Sequence, residues 1–349
     1  MCDHAIKWGS QVKLSFNPTK SVYLLFSRKR IQLPEIPFIS VNGTKVLRSR
    51  ECLYLGLTID DKLCWRSHIS NKCKAASRIY ASIRRCFSLT WGLSSDKLAL
   101  LYKATIVPII SYGCVAWAPA INTRWCKMML RSAQRPMALA ICRAFRSTST
   151  SAALVLANML PLDLKILEIV CHRSFSGLSL SPSASFLISE TIIKSSVPSP
   201  PGVLELGVIK RRITRLITEK WEEEWANSVS GAITKEFFPT VSSAKRPSCA
   251  LYHPETTQIL TGHSYLNFFQ SKFNADVLHL CACQSDVETV HHMHFLSDCP
   301  LHERGPLKFA ITQANLNWPP KLSDFPLRKS TWLALEQFIR HSKRLLPPV

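Results

Sequence analysis

With 44 Lys and Arg against 23 Asp and Glu, the 349-residue chain carries a formal charge of +21, yet 46% of it is hydrophobic. That apolar content excludes a disordered basic tail and can bury cores for two or three domains, so the charge belongs to folded surfaces. Such a surface suits a polyanion, nucleic acid ahead of an anionic membrane. Asp3, His4, Lys7 and Lys13 interrupt the N-terminal residues, which leaves no apolar stretch for a signal peptide. The uncharged run 104–123 is broken by Pro108, Gly113 and Pro119 and reads as buried core, not as a membrane span. These features imply an intracellular chain, nuclear or cytoplasmic, that is neither secreted nor membrane-bound. Ten of the 13 cysteines follow no disulfide spacing and read as reduced, buried thiols.

From residue 13 to 59, short β-branched and aromatic runs (VKLSF, SVYLLFS, IPFISV, ECLYLGLTI) alternate with Asn, Pro and Gly. They predict three or four strands of one small antiparallel sheet, with Asn42-Gly43 as a hairpin turn. After His68 the period becomes helical. Ile69, Cys73, Ala76, Tyr80, Ile83 and Phe87 fall on one stripe, with Lys74, Arg78 and Arg85 on the other side. Ser94-Ser95-Asp96 caps a second helix that should end before Pro108, and Asn122 or Thr123 opens a third that runs to Arg146 with a bend at Pro136. The third helix carries Arg124, Lys127, Arg131 and Arg135 along one side. Between Lys62 and Arg146 there are 15 Lys and Arg and one acid, Asp96. Solvated helix faces normally balance Lys with Glu, so Lys74, Arg78, Arg85, Arg124, Lys127 and Arg131 are candidates to line a phosphate backbone.

A further helical stretch surrounds the Leu160-Pro161-Leu162 break, and residues 179–202 are a Ser- and Pro-rich linker. Residues 210–238 are mostly helical, and the tail from 309 is weakly so. The reading divides the chain into a sheet (1–61), a helical domain (62–178), the linker (179–202), a second helical region (203–270), a Cys/His unit (271–305) and a tail (306–349). The fold class is α+β, mainly helical.

Within CACQSDVETVHHMHFLSDCP, three thiols and one imidazole form the ligand set of a closed, structural zinc site. Cys281, Cys283 and Cys299 are the thiols. His294 best fits the closing cysteine, with His292 next and His291 third. Such a unit serves to fold a segment with little core of its own. Asp60-Asp61 ends an apolar strand as a metal-binding hairpin could, but the only Asp upstream is Asp3, which leaves no first metal-binding strand, so it reads as a strand-to-helix turn. Glu222, Glu223 and Glu224 are consecutive in a basic helix and supply no spaced metal-binding set. His263, after Thr261-Gly262, reads as structural.

In succession, Trp8, FNPTKS with Asn17 and Lys20, YLGLTID with Tyr54 to Gly56, His68-Ile69, SYGCVAW with Tyr112, Gly113 and Trp117, Leu160-Pro161-Leu162, LTGH, and the Cys-x-Cys, His, Cys-Pro group cover about 290 residues. This series resembles the C-terminal half of the reverse transcriptase polyprotein of non-LTR retrotransposons, of the Jockey-like and ribosomal-DNA-inserting arthropod types. The resemblance implies the last strands of a polymerase palm, a helical thumb, a linker and a zinc knuckle. It makes Lys20 the palm lysine near the incoming triphosphate, with a general-acid role toward pyrophosphate. It implies RNA, DNA or an RNA–DNA hybrid as partner, held through its backbone because a processive enzyme grips every sequence alike. The family's aromatic-x-Asp-Asp motif would precede Asn17, where the chain has 16 residues. The reading is therefore a fragment without catalytic aspartates that does not polymerise. Magnesium would enter only if an intact polymerase site were supplied, with the other half of the enzyme as a partner. The alternative is a non-enzymatic nucleic-acid-binding module with a structural zinc knuckle.

Overall fold

The structure, a computed structural model, describes residues 2–26, 38–88, 91–175, 203–244, 253–293, 299 and 303–346. The linker 179–202 lies outside the described residues. The fold is mainly helical with a small antiparallel component. The N-terminal residues form helix α1 (Cys2–Gln11), which the strand-like reading did not include. Asn17 then caps a single 3-10 turn (Pro18–Lys20): its Oδ1 accepts from the Thr19 N–H and hydroxyl at 2.9 and 2.7 Å.

The single sheet expected from residues 13–59 is two separate hairpins. β1 (Phe38–Val41) pairs with β2 (Thr44–Leu47), and β3 (Glu51–Tyr54) with β4 (Leu57–Asp60). Asn42 and Gly43 both have positive φ, 49° and 73°, as a two-residue hairpin turn with matching twist requires. Leu55 and Gly56 repeat this at 46° and 78°, so ECLYLGLTI folds back on itself where one strand was expected. Residues 13–26 contribute one bridge, Tyr23 to Arg48. Leu47, Leu53 and Leu55 of the hairpins remain exposed.

The second hairpin docks on the helices through the segment around Tyr112. The Tyr112 hydroxyl donates to the Leu55 carbonyl at 2.8 Å, and its ring lies where a Cβ on Gly56 would come within 3.1 Å. Gly113 holds φ +61°, and a Cβ there would meet Leu57 Cδ2 at 2.5 Å. His68 is fully buried beside Trp65 and Trp117, and its Nδ1 accepts the Thr58 N–H at 3.2 Å. Burial, with Lys72, holds its pKa below the ordinary histidine range, which keeps it neutral as that acceptance requires.

Helix α2 (Arg66–Ile83) buries Ile69, Cys73 and Ala76 as the stripe predicts, and Arg85 sits just beyond it in a 3-10 turn (Arg84–Cys86). Helix α3 (Ser95–Leu101) ends before Pro108 as expected, but the helical path continues through it. A π-type turn (Tyr102–Ile106) takes up the register that a proline breaks, and α4 (Val107–Ile110) continues the path. After α5 (Cys114–Trp117) comes α6 (Arg124–Cys142), which contains Pro136 and ends where Arg143 turns to φ 52°. Among the described residues no single helix is long and apolar enough to cross a membrane. One bent pair, Ser95–Ile110 with Cys114–Asn122, passes by length and composition, and its Ile106, Ile110, Cys114 and Trp117 are buried in the core.

α7 (Thr150–Leu156) and α8 (Leu162–Phe175) pack on α6, α9 (Val203–Ala226) packs on α8, and α10 (Ala232–Phe237) follows. The Leu160-Pro161-Leu162 break is held by buried Gln134 of α6, whose amide donates to the Leu160 carbonyl and accepts the Leu162 N–H, both at 2.9 Å. α11 (Pro254–Thr261), the short α12 (Asn267–Gln270), α13 (Gly305–Gln313) and α14 (Lys329–His341) follow. One contiguous hydrophobic cluster runs from Trp65 to Leu345, so the segments parted on the sequence share a core. Cys73, Cys114, Cys126, Cys142 and Cys171 are buried as expected, whereas Cys64 and Cys86 are exposed.

Asp60 is the strand-to-helix turn the sequence suggested. Its carboxylate accepts the N–H groups of Lys62, Cys64 and Trp65 at 3.1, 3.0 and 2.7 Å. Burial opposes its ionisation, but the Cys64, Trp65 and Lys62 amides hold its pKa below the ordinary 3.8. Its contribution is present above the unfolded value and is lost as pH falls through the folded one. Asp60→Ala should therefore cost about 1–2 kcal/mol at neutral pH, a cost that shrinks toward zero below the ordinary carboxylate range; urea melts of both proteins across pH check this.

Candidate nucleic-acid interface and metal centre

The basic residues of α2 and α6 divide between two different surfaces. Between these helices runs an open groove of about 830 Å³, lined by Ser70, Lys74, Ser77 and Arg78 from α2 and by Trp125, Met128, Met129 and Ser132 from α6, with no acid in its lining. Lys74 and Arg78 are exposed along it, Arg85 is exposed just past its end, and the Arg66 guanidinium lies 4.9 Å from the Trp125 ring. Cations, hydroxyls and exposed apolar side chains are what a sugar–phosphate backbone meets when it is held without base readout. The serines, Trp125 and Met128 were missed by charge counting. Their signal is the second stripe of α6, at 125, 128, 129 and 132.

The other stripe, Arg124, Lys127, Arg131 and Arg135, does not line the groove. Arg131, a candidate phosphate contact on the sequence, is engaged within the fold. Its guanidinium forks onto Asp163 at 2.8 and 2.7 Å and also donates to Glu224 at 2.7 Å, joining α6 to α8 and α9. Asp163 is fully buried, which is why the charge is needed there. Burial disfavours the charged guanidinium, but Asp163 and then Glu224 raise its pKa above the ordinary arginine value. Arg135 likewise donates to Thr150 Oγ1 and the Arg146 carbonyl. Arg124 is exposed and Lys127 half-buried. Glu222 is also committed internally, accepting the Val241 and Ser242 N–H groups at 2.6 and 2.8 Å. Lys20 is exposed in its 3-10 turn.

The Cys/His segment makes a compact donor set. Cys281 and Cys283 lie on the loop of a small antiparallel bridge, Leu280 to Val287, in which the Gln284 N–H donates to the Cys281 carbonyl at 2.8 Å and Gln284 takes φ 61°. One ligand atom each from Cys281, Cys283, His292 and Cys299 lies within 4.8 Å of all the others. Cys281 Sγ is 3.9 Å from Cys299 Sγ, and Cys283 Sγ is 3.5 Å from His292 Nε2. Those spacings approach the edges of a tetrahedron with metal–sulfur bonds of about 2.3 Å. The group could therefore hold a metal ion. The histidine in it is His292, the second choice on spacing; His294 lies outside the described residues. His291 is engaged elsewhere, 2.6 Å from Glu236.

Burial pushes the Cys281 thiol up to about 12, whereas the Ser285 hydroxyl and N–H hold Cys283 down to about 6, so Cys283 ionises first. Asp286 lies 3.7 Å from His292 Nδ1, near enough to interact electrostatically with the ring but beyond hydrogen-bond distance. Arg304 donates to the carbonyls of Cys299, His292 and Met293 at 2.9, 3.2 and 3.0 Å, tying both sides of the set to the start of α13. Buried Glu288 accepts a two-pronged Arg344 guanidinium at 2.6 and 2.9 Å and the Asn267 N–H at 2.7 Å. His263 is structural, with Nδ1 2.8 Å from the Ser147 hydroxyl and its ring against Phe269.

The two uses of arginine separate by experiment. Arg131→Ala strands the Asp163 charge in the core and should cost about 3–5 kcal/mol. Arg78→Ala removes an exposed side chain and should stay within about 0.5 kcal/mol of wild type in the same denaturant melts.

Comparison with known proteins follows the same lines. At 25% identity over 301 residues, 85% of this chain matches the "Retrovirus-related Pol polyprotein from type-1 retrotransposable element R1" of Bradysia coprophila, of which it covers 28%. It matches the Pol polyprotein from element R1 2 of Nasonia vitripennis at 25% over 303 residues, covering 70% of that protein. A shorter match, 27% over 128 residues, is to the "Probable RNA-directed DNA polymerase from transposon X-element" of Drosophila melanogaster, covering 34% of this chain and 13% of that protein. No protein-family model and no solved structure matches the chain. Its homologues are thus the Pol polyproteins of R1 elements, non-LTR retrotransposons of arthropods, in line with the resemblance carried by the palm-end, thumb and knuckle segments.

Proposed function

We propose that this chain is a nucleic-acid-gripping region of a retrotransposon reverse transcriptase, in which the α2–α6 groove holds the backbone of a template–primer duplex and the Cys/His set binds a structural zinc. The observation that carries the reading is the acid-free groove with Lys74 and Arg78 on its wall, in a chain whose relatives include a protein named as an RNA-directed DNA polymerase. Lys74, Arg78 and Arg85 contact phosphates, with Arg124 and Lys127 on the second flank of α6. Sequence-independent grip follows, because none of these groups is placed to read base edges in a set pattern. Lys20 keeps the triphosphate role that the resemblance assigns to it.

In this reading the chain supplies the grip, and the chemistry of nucleotide addition belongs to the rest of a polymerase. Two-metal displacement needs carboxylates that share metal ions, and here Asp60, Asp163, Glu222 and Glu224 are spent on backbone amides and on Arg131. Among the described residues, the only cluster of three or more His, Cys, Asp or Glu close enough for a metal is the Cys/His set. Magnesium chemistry would enter with acids supplied by the rest of a polymerase. Three thiolates and one imidazole fill four positions, which suits a zinc that folds the knuckle and leaves no open site for substrate.

Titration of binding to an RNA–DNA hybrid hairpin against salt tests the grip. Wild type should bind steeply with salt and show no primer extension, and Arg78→Ala with Arg85→Ala should weaken binding and flatten the salt slope by roughly one to two units. A wild-type slope in that double variant would sink the groove assignment. Metal analysis should find about one zinc per chain, lost in His292→Ala and kept in His294→Ala; the reverse pattern would move the ligand to His294.

A further inference from the structure

On another flank of α6, a second cavity of about 560 Å³ opens between α6, α7 and α9. Its size is that of small-molecule sites, roughly 300–1,000 Å³. The floor is apolar, from Leu154, Pro161, Trp221 and Trp225. Its polar lining comes from Thr150 and Ser151 of α7 and from Asn227 and Ser228 after α9. The Ser151 hydroxyl lies 2.8 Å from Ser230 Oγ and 3.2 Å from Ser228 Oγ, so the hydroxyls are held in a fixed array.

Charge decides what fits. The lining holds two cations, Arg131 and Lys220, and two carboxylates, Glu223 and Glu224, and Arg131 is already bound to Glu224 and Asp163. A phosphate gains nothing in a balanced site of this kind, whereas a neutral polar ring gains an apolar floor and donors and acceptors at its edge. Lys127 and Arg124 stand four and seven residues before Arg131, about one and two turns along the same side of α6. They bring positive charge beside the cavity without neutralising partners inside it.

On the nucleic-acid reading above, we infer that this cavity receives an unpaired nucleobase of a single-stranded segment, whose flanking phosphates lie on Arg124 and Lys127. A base within a duplex has its edge occupied and its faces stacked, so the site selects single strands. It is separate from the groove, and the two surfaces use different stripes of one helix.

The test is fluorescence anisotropy with a labelled single strand of about 12 nucleotides, the same strand with abasic residues, and an RNA–DNA hybrid hairpin. Asn227 is exposed on the lining, and Asn227→Trp puts bulk into the cavity without removing a buried side chain. Wild type should bind the abasic strand about tenfold more weakly than the intact one, the scale of losing a base contact. Asn227→Trp should lose affinity for the intact strand by a similar factor, with abasic-strand and hybrid binding unchanged. Wild-type affinity of Asn227→Trp for the intact strand, or equal losses on intact and abasic strands, would overturn the inference while hybrid binding persists. Failure of wild type to bind either the strand or the hybrid would overturn the gripping function itself.

Discussion

A buried carboxylate needs a partner, and Asp163 has Arg131. That fork fixes the start of α8 against the middle of α6 and, through Glu224, draws in the end of α9. Gln134, three residues further along α6, holds the chain on the other side of the same junction by occupying the Leu160 and Leu162 backbone groups. With these polar demands met inside, α6 can serve as a spine with a distinct surface on each flank. The groove toward α2 and the cavity toward α7 and α9 both exist because α6 is held in this one orientation.

The helical part was largely legible, because its signals are local. The α2 stripe at Ile69, Cys73 and Ala76, the Asn42-Gly43 turn and the turn role of Asp60 all depend on neighbours within a few residues. What escaped was set by distant partners. Arg131 looked like one more cation in an acid-poor stretch, since its acids lie 32 and 93 residues away. The Leu55-Gly56 turn was hidden because leucine seldom takes positive φ, and it does so here with its carbonyl held by Tyr112, 57 residues on. The Cys/His set was legible as a composition, but spacing alone does not fix which of three neighbouring histidines turns inward.

The C-terminal third shares the common core through residues such as Phe237, Ile259, Phe325 and Trp332, and is also tied down by polar contacts. Arg304 bridges the two sides of the donor set, Glu288 and Arg344 bind the knuckle loop to the chain end, and Gln258 of α11 donates to the carbonyl of Leu345 at 2.9 Å. A metal ion held by the donor set would add its bonds to this lattice and help order a small loop. The knuckle is thereby a fastening for α11 to α14 as well as a local fold.

The contact between Tyr112 and the second hairpin has a consequence for how such a sequence can drift. Gly56 leaves the space that the Tyr112 ring fills, and Gly113 leaves the space that Leu57 fills. A side chain gained at either glycine is tolerable only if its opposite number shrinks, and the positive φ at both removes most residues from the choice. Positions 56, 57, 112 and 113 should therefore change as a group among related chains or remain unchanged together, even though the two halves of the group are far apart in sequence.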